Sequence, residues 1–336
     1  MNTLQDIIKS IEELQKSVTV ESVTGLELVR EDLQAEMAIM APIDTPLRNR
    51  LKRIKGNGKA HSWYQLEANT DSTTGHLFLG TGPHAGFFPK TGLPTATSQT
   101  FKKTSAAYTP LGDVVDVTLF DQLAGATYSD LRKNQIKSKM LNVAMMEEWA
   151  IIHGDSSTSL ASGGEMFDGF DTLFTENAYD LAGATLNLTA INAVQQLIQA
   201  QGGKPQAIVM GYRDQLKFNE LVLSSYYRLF QAGAGSMANI PAGINITKWI
   251  GPFGVVDIIG SRFITPGYGN VTKAYVIDDK SMMQDGNALQ MVDLMGLSAI
   301  ELPVGTSLGY KTVVAEFTTM QVTSPPYQGM VINIGA

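Results

Sequence analysis

Apolar residues recur along this chain with two main spacings, and each predicts a different kind of element. Leu4, Ile7, Ile8, Ile11 and Leu14 stand at helical spacing in an otherwise polar opening, which predicts an amphipathic helix over Met1 to Lys16 rather than the continuous apolar run of an export signal. A second helical stretch carries Leu28, Leu33 and Met37, and Pro42 and Pro46 then interrupt the pattern. A short amphipathic helix is marginal alone in water, so residues 1–47 read as an arm whose stripe needs a docking surface. His61 to Glu67 and Thr100 to Tyr108 have strand composition. Asp113 to Phe120 alternates, with Val115, Val117 and Leu119 on one face and Asp116 and Thr118 on the other. The longest helical stripe follows, through Leu131, Ile136, Met140, Val143, Met146 and Trp149. It starts at Thr127 and Asp130, spaced as in a capping box, and runs through Ile152 to a stop at Gly154. About 25 residues at ~1.5 Å each predict a rod of roughly 38 Å.

From residue 185 the pattern changes to alternating helices and strands. Ile191, Val194 and Ile198 mark a helix closed by Gly202 and Gly203, Ala207 to Met210 a short buried strand, and Arg213 to Leu223 another helix. Val255 to Ile259 and Ala274 to Ile277 read as further buried strands, so this stretch predicts a second α/β region with its own sheet. The last part, Leu297 to Ile334, is strand-rich and is expected to return to the first region.

The two strand candidates at 61–67 and 100–108 are separated by more than thirty residues rich in Gly, Thr, Ser and Pro. That exceeds an ordinary connection in a compact domain. The loop also carries Leu77, Phe78, Leu79, Phe87, Phe88 and Leu93, more large apolar groups than a solvated linker holds. Each gains roughly 1.5–3 kcal/mol by burial, so a covering surface is expected. A hairpin lying on a neighbouring subunit satisfies both length and content; an insertion folded back on its own core is the alternative.

Composition narrows the chemistry. At 336 residues and 44% hydrophobic the chain can bury a real core. It contains no cysteine, which removes disulfides, thiolate nucleophiles and cysteine-bound zinc. A net charge of −7 with only 17% charged residues does not suit a general nucleic-acid binder, so any such contact is local. The one dense basic run is Arg48, Arg50, Lys52, Arg53, Lys55 and Lys59. It reads as a solvated strand or arm meeting a neighbour's carboxylates, or as a non-specific phosphate contact. No stretch approaches the ~20 apolar residues of a membrane span, and the chain is expected to act without export. The Asn-x-Thr sites at Asn187, Asn245 and Asn270 therefore carry no weight.

Catalytic patterns fail on context. Gly305 to Gly309 matches a nucleophile elbow around Ser307, but a strand-like stretch follows where a helix is needed, and all four histidines (His61, His76, His84, His153) precede the serine. The glycine-rich Gly80 to Gly86 has the wrong spacing for a dinucleotide loop. His153 beside Asp155 is the one histidine–acid neighbour pair and reads as a helix-end turn rather than a metal site. The pairs Glu12–Glu13, Glu147–Glu148 and Asp278–Asp279 read as surface charge. No catalytic, cofactor-binding or metal-ligating residue is assigned, and no cofactor is expected.

Several pieces in order carry a family resemblance: Asp113-Val-Val-Asp-Val-Thr-Leu-Phe, the helix through Met145-Met-Glu-Glu-Trp-Ala-Ile-Ile, His153-Gly-Asp, and Phe167-Asp-Gly-Phe. Gly254-Val-Val-Asp-Ile-Ile, Ala274-Tyr-Val-Ile-Asp and Tyr310-Lys-Thr-Val-Val-Ala-Glu-Phe extend it, from about residue 48 onward. Together they resemble the tailed-phage major capsid proteins of Hong Kong 97-like fold, with His153 in place of an Asn-like residue. The resemblance implies an α+β chain in five parts. These are an N-terminal arm (1–47), an extended β-hairpin loop with flanking strands (48–112), a peripheral domain with a long spine helix (113–175), an axial α/β domain (176–290) and strands returning to the peripheral domain (291–336). It implies a structural protein, not an enzyme, that assembles with copies of itself as hexamers and pentamers into an icosahedral shell. Portal, scaffolding or decoration proteins and packaged DNA are its implied partners, with no membrane. Its implied place is the virion capsid, and the host cytoplasm during assembly. Leu77, Phe78, Leu79, Phe87, Phe88 and Leu93 become inter-subunit contact candidates, and the basic run an arm or genome contact. An encapsulin-type nanocompartment shares the fold, and a serine hydrolase using Ser307 is the third reading.

Overall fold

The computed structural model describes residues 44–71, 75–76, 90–93, 97–125, 130–158, 160, 163–233, 246–267, 270–283, 286–303 and 308–335. The predicted opening helices, the loop residues Leu77, Phe78, Leu79, Phe87 and Phe88, Thr127 and Ser307 lie outside the described residues. The first part of the chain contains α1 (Pro46–Arg50), β1 (Arg53–Lys55), β2 (Ala60–Asp71), β3 (Gly75–His76), β4 (Thr97–Ala107), β5 (Thr109–Thr118), α2 (Leu119–Gly125), α3 (Leu131–His153) and α4 (Phe170–Leu173). The middle contains β6 (Ala178–Asp180), α5 (Leu188–Ala200), β7 (Ala207–Gly211), α6 (Tyr212–Gly233), β8 (Lys248–Gly251), β9 (Gly254–Ser261) and β10 (Thr272–Ile277). The rest contains β11 (Met282–Met283), β12 (Gly286–Asn287), β13 (Leu289–Glu301), β14 (Gly309–Val322) and β15 (Gly329–Ile334).

The strands form two large sheets, a hairpin and a small ribbon. One sheet has the order β1-β13-β14-β5 and the other β6-β15-β10-β7-β9-β8, while β3-β2-β4 make the hairpin and β11-β12 the ribbon. In β7 and β10 the side chains divide by alternation. Ala207, Val209, Tyr275 and Ile277 face one core, and Ile208, Met210, Ala274 and Val276 face another built with α5 and α6. A strand covered on both faces reads as a continuous apolar run, which is why 207–211 was visible in the sequence. The first of these cores also takes Leu289, Met291, Met320 and Val322 from the other sheet, with Ile151 and Ile152 of α3. The two sheets thus share one core. A third cluster, Val115, Val117, Val143 and Val314, packs α3 across the four-stranded sheet.

Helix α3 has clear ends. Asp130 is its N-cap and accepts the Lys133 N–H at 3.1 Å, so the helix begins four residues after the expected Thr127. At the other end Gly154 has no room for a side chain, because a Cβ there would sit 2.2 Å from the Phe167 carbonyl and 2.5 Å from that of Ala150. Its carbonyl accepts the Gly169 N–H, which folds the Phe167–Phe170 stretch back onto the helix end. The expected stripe needs one correction, since Trp149 is exposed and the buried face instead carries Glu147 and Glu148.

Two region boundaries also change. Leu47 is fully buried in the shared core, so the chain joins the body before the expected end of the arm. In the closing strands β14 does return to pair with β5, but β15 pairs with β10 and β6 and belongs to the six-stranded sheet. Its continuous run Met330-Val-Ile suits that position, where Val331 and Ile334 are fully buried.

Candidate functional site

The basic run turns inward at its arginines. Arg48 and Arg53 both pair with Glu147, Arg53 Nη1 lies 2.6 Å from Glu316 Oε1 and 3.0 Å from Asp293 Oδ2, and Arg48 Nη2 lies 3.2 Å from Glu316 Oε2. Glu147 and Glu316 are fully buried. Arg50 reaches the other sheet, 2.7 Å from Asp257 and 2.8 Å from Asp279. Arg48, Arg50 and Arg53 thus meet carboxylates of their own chain, which corrects their reading as a solvated arm. Lys52, Lys55 and Lys59 are exposed.

The same cluster corrects the reading of the acid pairs. Glu148 accepts the N–H groups of Leu47 at 2.9 Å and Arg48 at 2.7 Å, capping α1 from far along the chain where Thr45 makes no side-chain cap. Burial pushes its carboxyl up to about 7. Burial, and then the neighbouring Glu316, also raise Glu147, against the pull of Arg53 and Arg48. Arg53 is itself shifted upward: burial works against its charge, but Glu147, Asp293 and Glu316 outweigh it. Asp278 is equally buried and accepts the N–H groups of Lys204 and Ser281.

A second polar cluster lies at the end of α3. His153 turns away from Asp155, whose carboxylate accepts from Ser157 and Thr158, and meets Asp171 at 2.7 Å and the Phe263 carbonyl at 3.0 Å. Lys273 Nζ and the Tyr275 hydroxyl donate to the other Asp171 oxygen at 2.6 and 2.7 Å. Burial alone would raise Asp171, but bonds from His153, Lys273 and Tyr275 hold it down to about 2. Among the described residues no group of three or more His, Cys, Asp or Glu side chains could hold a metal ion. The strand β14 begins at Gly309, where an elbow serine would require a helix.

The hairpin is the least enclosed element. Its strands pair from Ala60 with Ala107 to Asp71 with Thr97, with a register shift between Leu66 and Ala68. Twelve residues in β2 give a reach of roughly 40 Å. One face of its base docks on the body. Trp63 is buried, His61 Nε2 lies 3.0 Å from Gln321 Oε1, and Gln65 Nε2 donates to the Thr323 carbonyl at 2.5 Å. Tyr64 and Phe101 are 64% and 61% exposed, two aromatics the sequence reading did not single out. Their signal was the alternation of Trp63 with Tyr64, which sends successive aromatics to opposite faces. Of the six loop residues predicted as contacts, only Leu93 is described, and it is almost fully exposed.

Further apolar pairs stand exposed: Phe120 with Leu123 on α2, Tyr212 with Leu216 on α6, and Ile250 opposite Val255 across β8 and β9. Neighbouring exposed apolar residues on one face make a patch that gains from being covered, while isolated ones need no explanation.

Comparison with known proteins adds a family and a fold. The family described as SU10 major capsid protein matches residues 15–319. Among curated proteins none matches the chain. Among solved structures, the holo-SrpI encapsulin complex from Synechococcus elongatus superposes with a TM-score of 0.64 at 11% identity, covering 95% of this chain and 97% of that one. The capsid of a native GTA particle gives 0.61 at 12% identity over 94% and 98%, and Mycobacterium phage Bobi 0.60 at 11% over 92% and 97%. The shared fold is the Hong Kong 97-like one that the sequence resemblance implied.

Proposed function

We propose, from the premise that the chain belongs to the SU10 major capsid protein family, that hexamers and pentamers of it close into the icosahedral shell around the double-stranded DNA of a tailed bacteriophage. The hairpin carries this reading: a roughly 40 Å ribbon with exposed Tyr64 and Phe101 is more than its own body covers. It reaches over a neighbouring copy, and the apolar pairs on α2, α6 and β8–β9 meet further copies. Loop residues Leu77, Phe78, Leu79, Phe87, Phe88 and Leu93 add to the hairpin's contact. Lys52, Lys55 and Lys59 are the members of the basic run left for packaged DNA. The subunit works in the virion capsid, after assembly in the host cytoplasm with a portal and with scaffolding or decoration proteins. It acts as a structural element, not a catalyst.

Replacement of residues 72–96 by a tight turn tests the reading, with melting curves, sedimentation and negative-stain microscopy as readouts. The expected product is a folded chain with an unchanged melting temperature that forms no shells. Shells at normal yield would mean that the loop packs on its own subunit. The fold likeness to an encapsulin keeps a cargo compartment as the second reading. Nuclease-resistant DNA inside native particles selects the first and a packaged protein the second.

A further inference from the structure

His153 stands between two acceptors. Its Nδ1 lies 2.7 Å from the Asp171 carboxylate and its Nε2 3.0 Å from the Phe263 carbonyl. A neutral imidazole has one N–H, so either tautomer would leave a ring lone pair facing an acceptor lone pair at one of these contacts; only the imidazolium donates to both. The two acceptors come from different elements. Asp171 is on α4 and is tied to β10 through Lys273 and Tyr275, whereas Phe263 is on the turn that follows β9. Arg262 on that turn lies over the Phe263 ring, and Trp149 on the same helix as His153 lies with its ring centre 5.4 Å away. Among the described residues, the charged and titratable groups acting on the imidazole are therefore Asp171 from α4, with Lys273 and Tyr275 from β10 behind it, while Arg262 on the turn stacks on Phe263.

We propose that His153 is a cationic clamp: its doubly donating imidazolium fastens the end of the long helix to the β9 turn, and loss of its proton on the alkaline side unfastens that joint. Burial works against the charge, but the bonds to Asp171 and Phe263 outweigh it and raise the ring above its ordinary 6.5. A raised histidine contributes in full below its unfolded value and loses that contribution as the pH climbs through the folded one. Asp171, held down to about 2, keeps its side of the pair through mild acid. The joint links α3, packed on the four-stranded sheet, to the six-stranded sheet, so its release loosens how the two meet. It is a property of the single chain and does not rest on the shell reading.

The test uses the full chain labelled with 15N-histidine, with ring-nitrogen protonation read by NMR across pH. One of the four histidines is expected to carry protons on both ring nitrogens, to disappear in His153→Gln, and to hold its second ring proton to a higher pH than free histidine does. Amide exchange over residues 262–267, corrected for its intrinsic pH dependence, is expected to rise severalfold through the same midpoint. In His153→Lys, which keeps a cation over this range, that rise is expected to vanish. A His153 ring that gives up its second proton no later than free histidine does, or exchange at 262–267 that ignores the midpoint, overturns the proposal. Should His153→Gln fail to fold, single Gln variants of His61, His76 and His84 assign the fourth resonance by elimination.

Discussion

The segment 46–55 and the hairpin of β2 and β4 follow one another along the chain, separated only by Gly56 to Lys59, yet they are held in opposite ways. The first is fixed by desolvated charge. Arg48, Arg50 and Arg53 reach carboxylates on α3, β14, β13, β9 and the stretch after β10, while Leu47 and Leu51 enter the shared core. The second is docked along one face of its base and offers aromatics to solvent on the other. Removing one partner of a buried charge pair is severe because the remaining charge is stranded, whereas removing an exposed aromatic hardly touches the single chain. On the proposed reading, the difference separates what the subunit needs to fold from what it needs to meet others.

Breaking the first region has the largest expected effect. Glu147→Ala removes the buried carboxylate that Arg48 and Arg53 share, leaving them Glu316 and Asp293, and is expected to lower unfolding stability by roughly 1–3 kcal/mol in urea titrations. A loss below about 1 kcal/mol would erase the distinction between the two regions. Glu148→Gln is expected to act through pH. A carboxyl raised to about 7 from 4.5 holds its proton more tightly in the folded chain, so the wild type loses stability as pH rises across that window, on the order of 2–3 kcal/mol. The Gln variant should lose that slope in denaturation curves taken from pH 4.5 to 7.5; an unchanged slope would show that Glu148 is not its source. The smallest stability effect belongs to the hairpin. Tyr64→Ser with Phe101→Ser is expected to shift stability by no more than about 0.5 kcal/mol per site while particle yield by microscopy falls at least severalfold. Full yield would move the contact surface elsewhere.

Elements with a local signature were legible in the sequence. Strands β7 and β10 showed as the continuous apolar runs Ala207 to Met210 and Ala274 to Ile277, β5 as alternation from Asp113, and the hairpin as two aromatic stretches around an overlong loop. What failed depended on partners distant in the chain. Glu147 and Glu148 looked like surface charge because the rule for neighbouring helix residues sees only the helix, and their partners lie about a hundred residues earlier. The arginines looked like a basic patch for the same reason. Asp278 and Asp279 carry no local mark of burial, because the Lys204 amide and Arg50 that meet them lie 74 and 229 residues earlier. The last strand was assigned to the wrong sheet because an apolar run states that a strand is covered on both faces, not which strands flank it. The family resemblance carried the architecture where these local rules stopped.

The placement of β15 between β6 and β10 bears on when the subunit can first be finished. A ribosome delivers β6 and β10 before β15 exists, and Ala178 must wait for Met330 before its sheet can close. A nascent chain halted anywhere before Gly329 leaves β6 without its neighbour and one edge of β10 open. Interrupted translation products therefore lack a completed sheet and carry an open strand edge, the kind of edge that pairs with other chains.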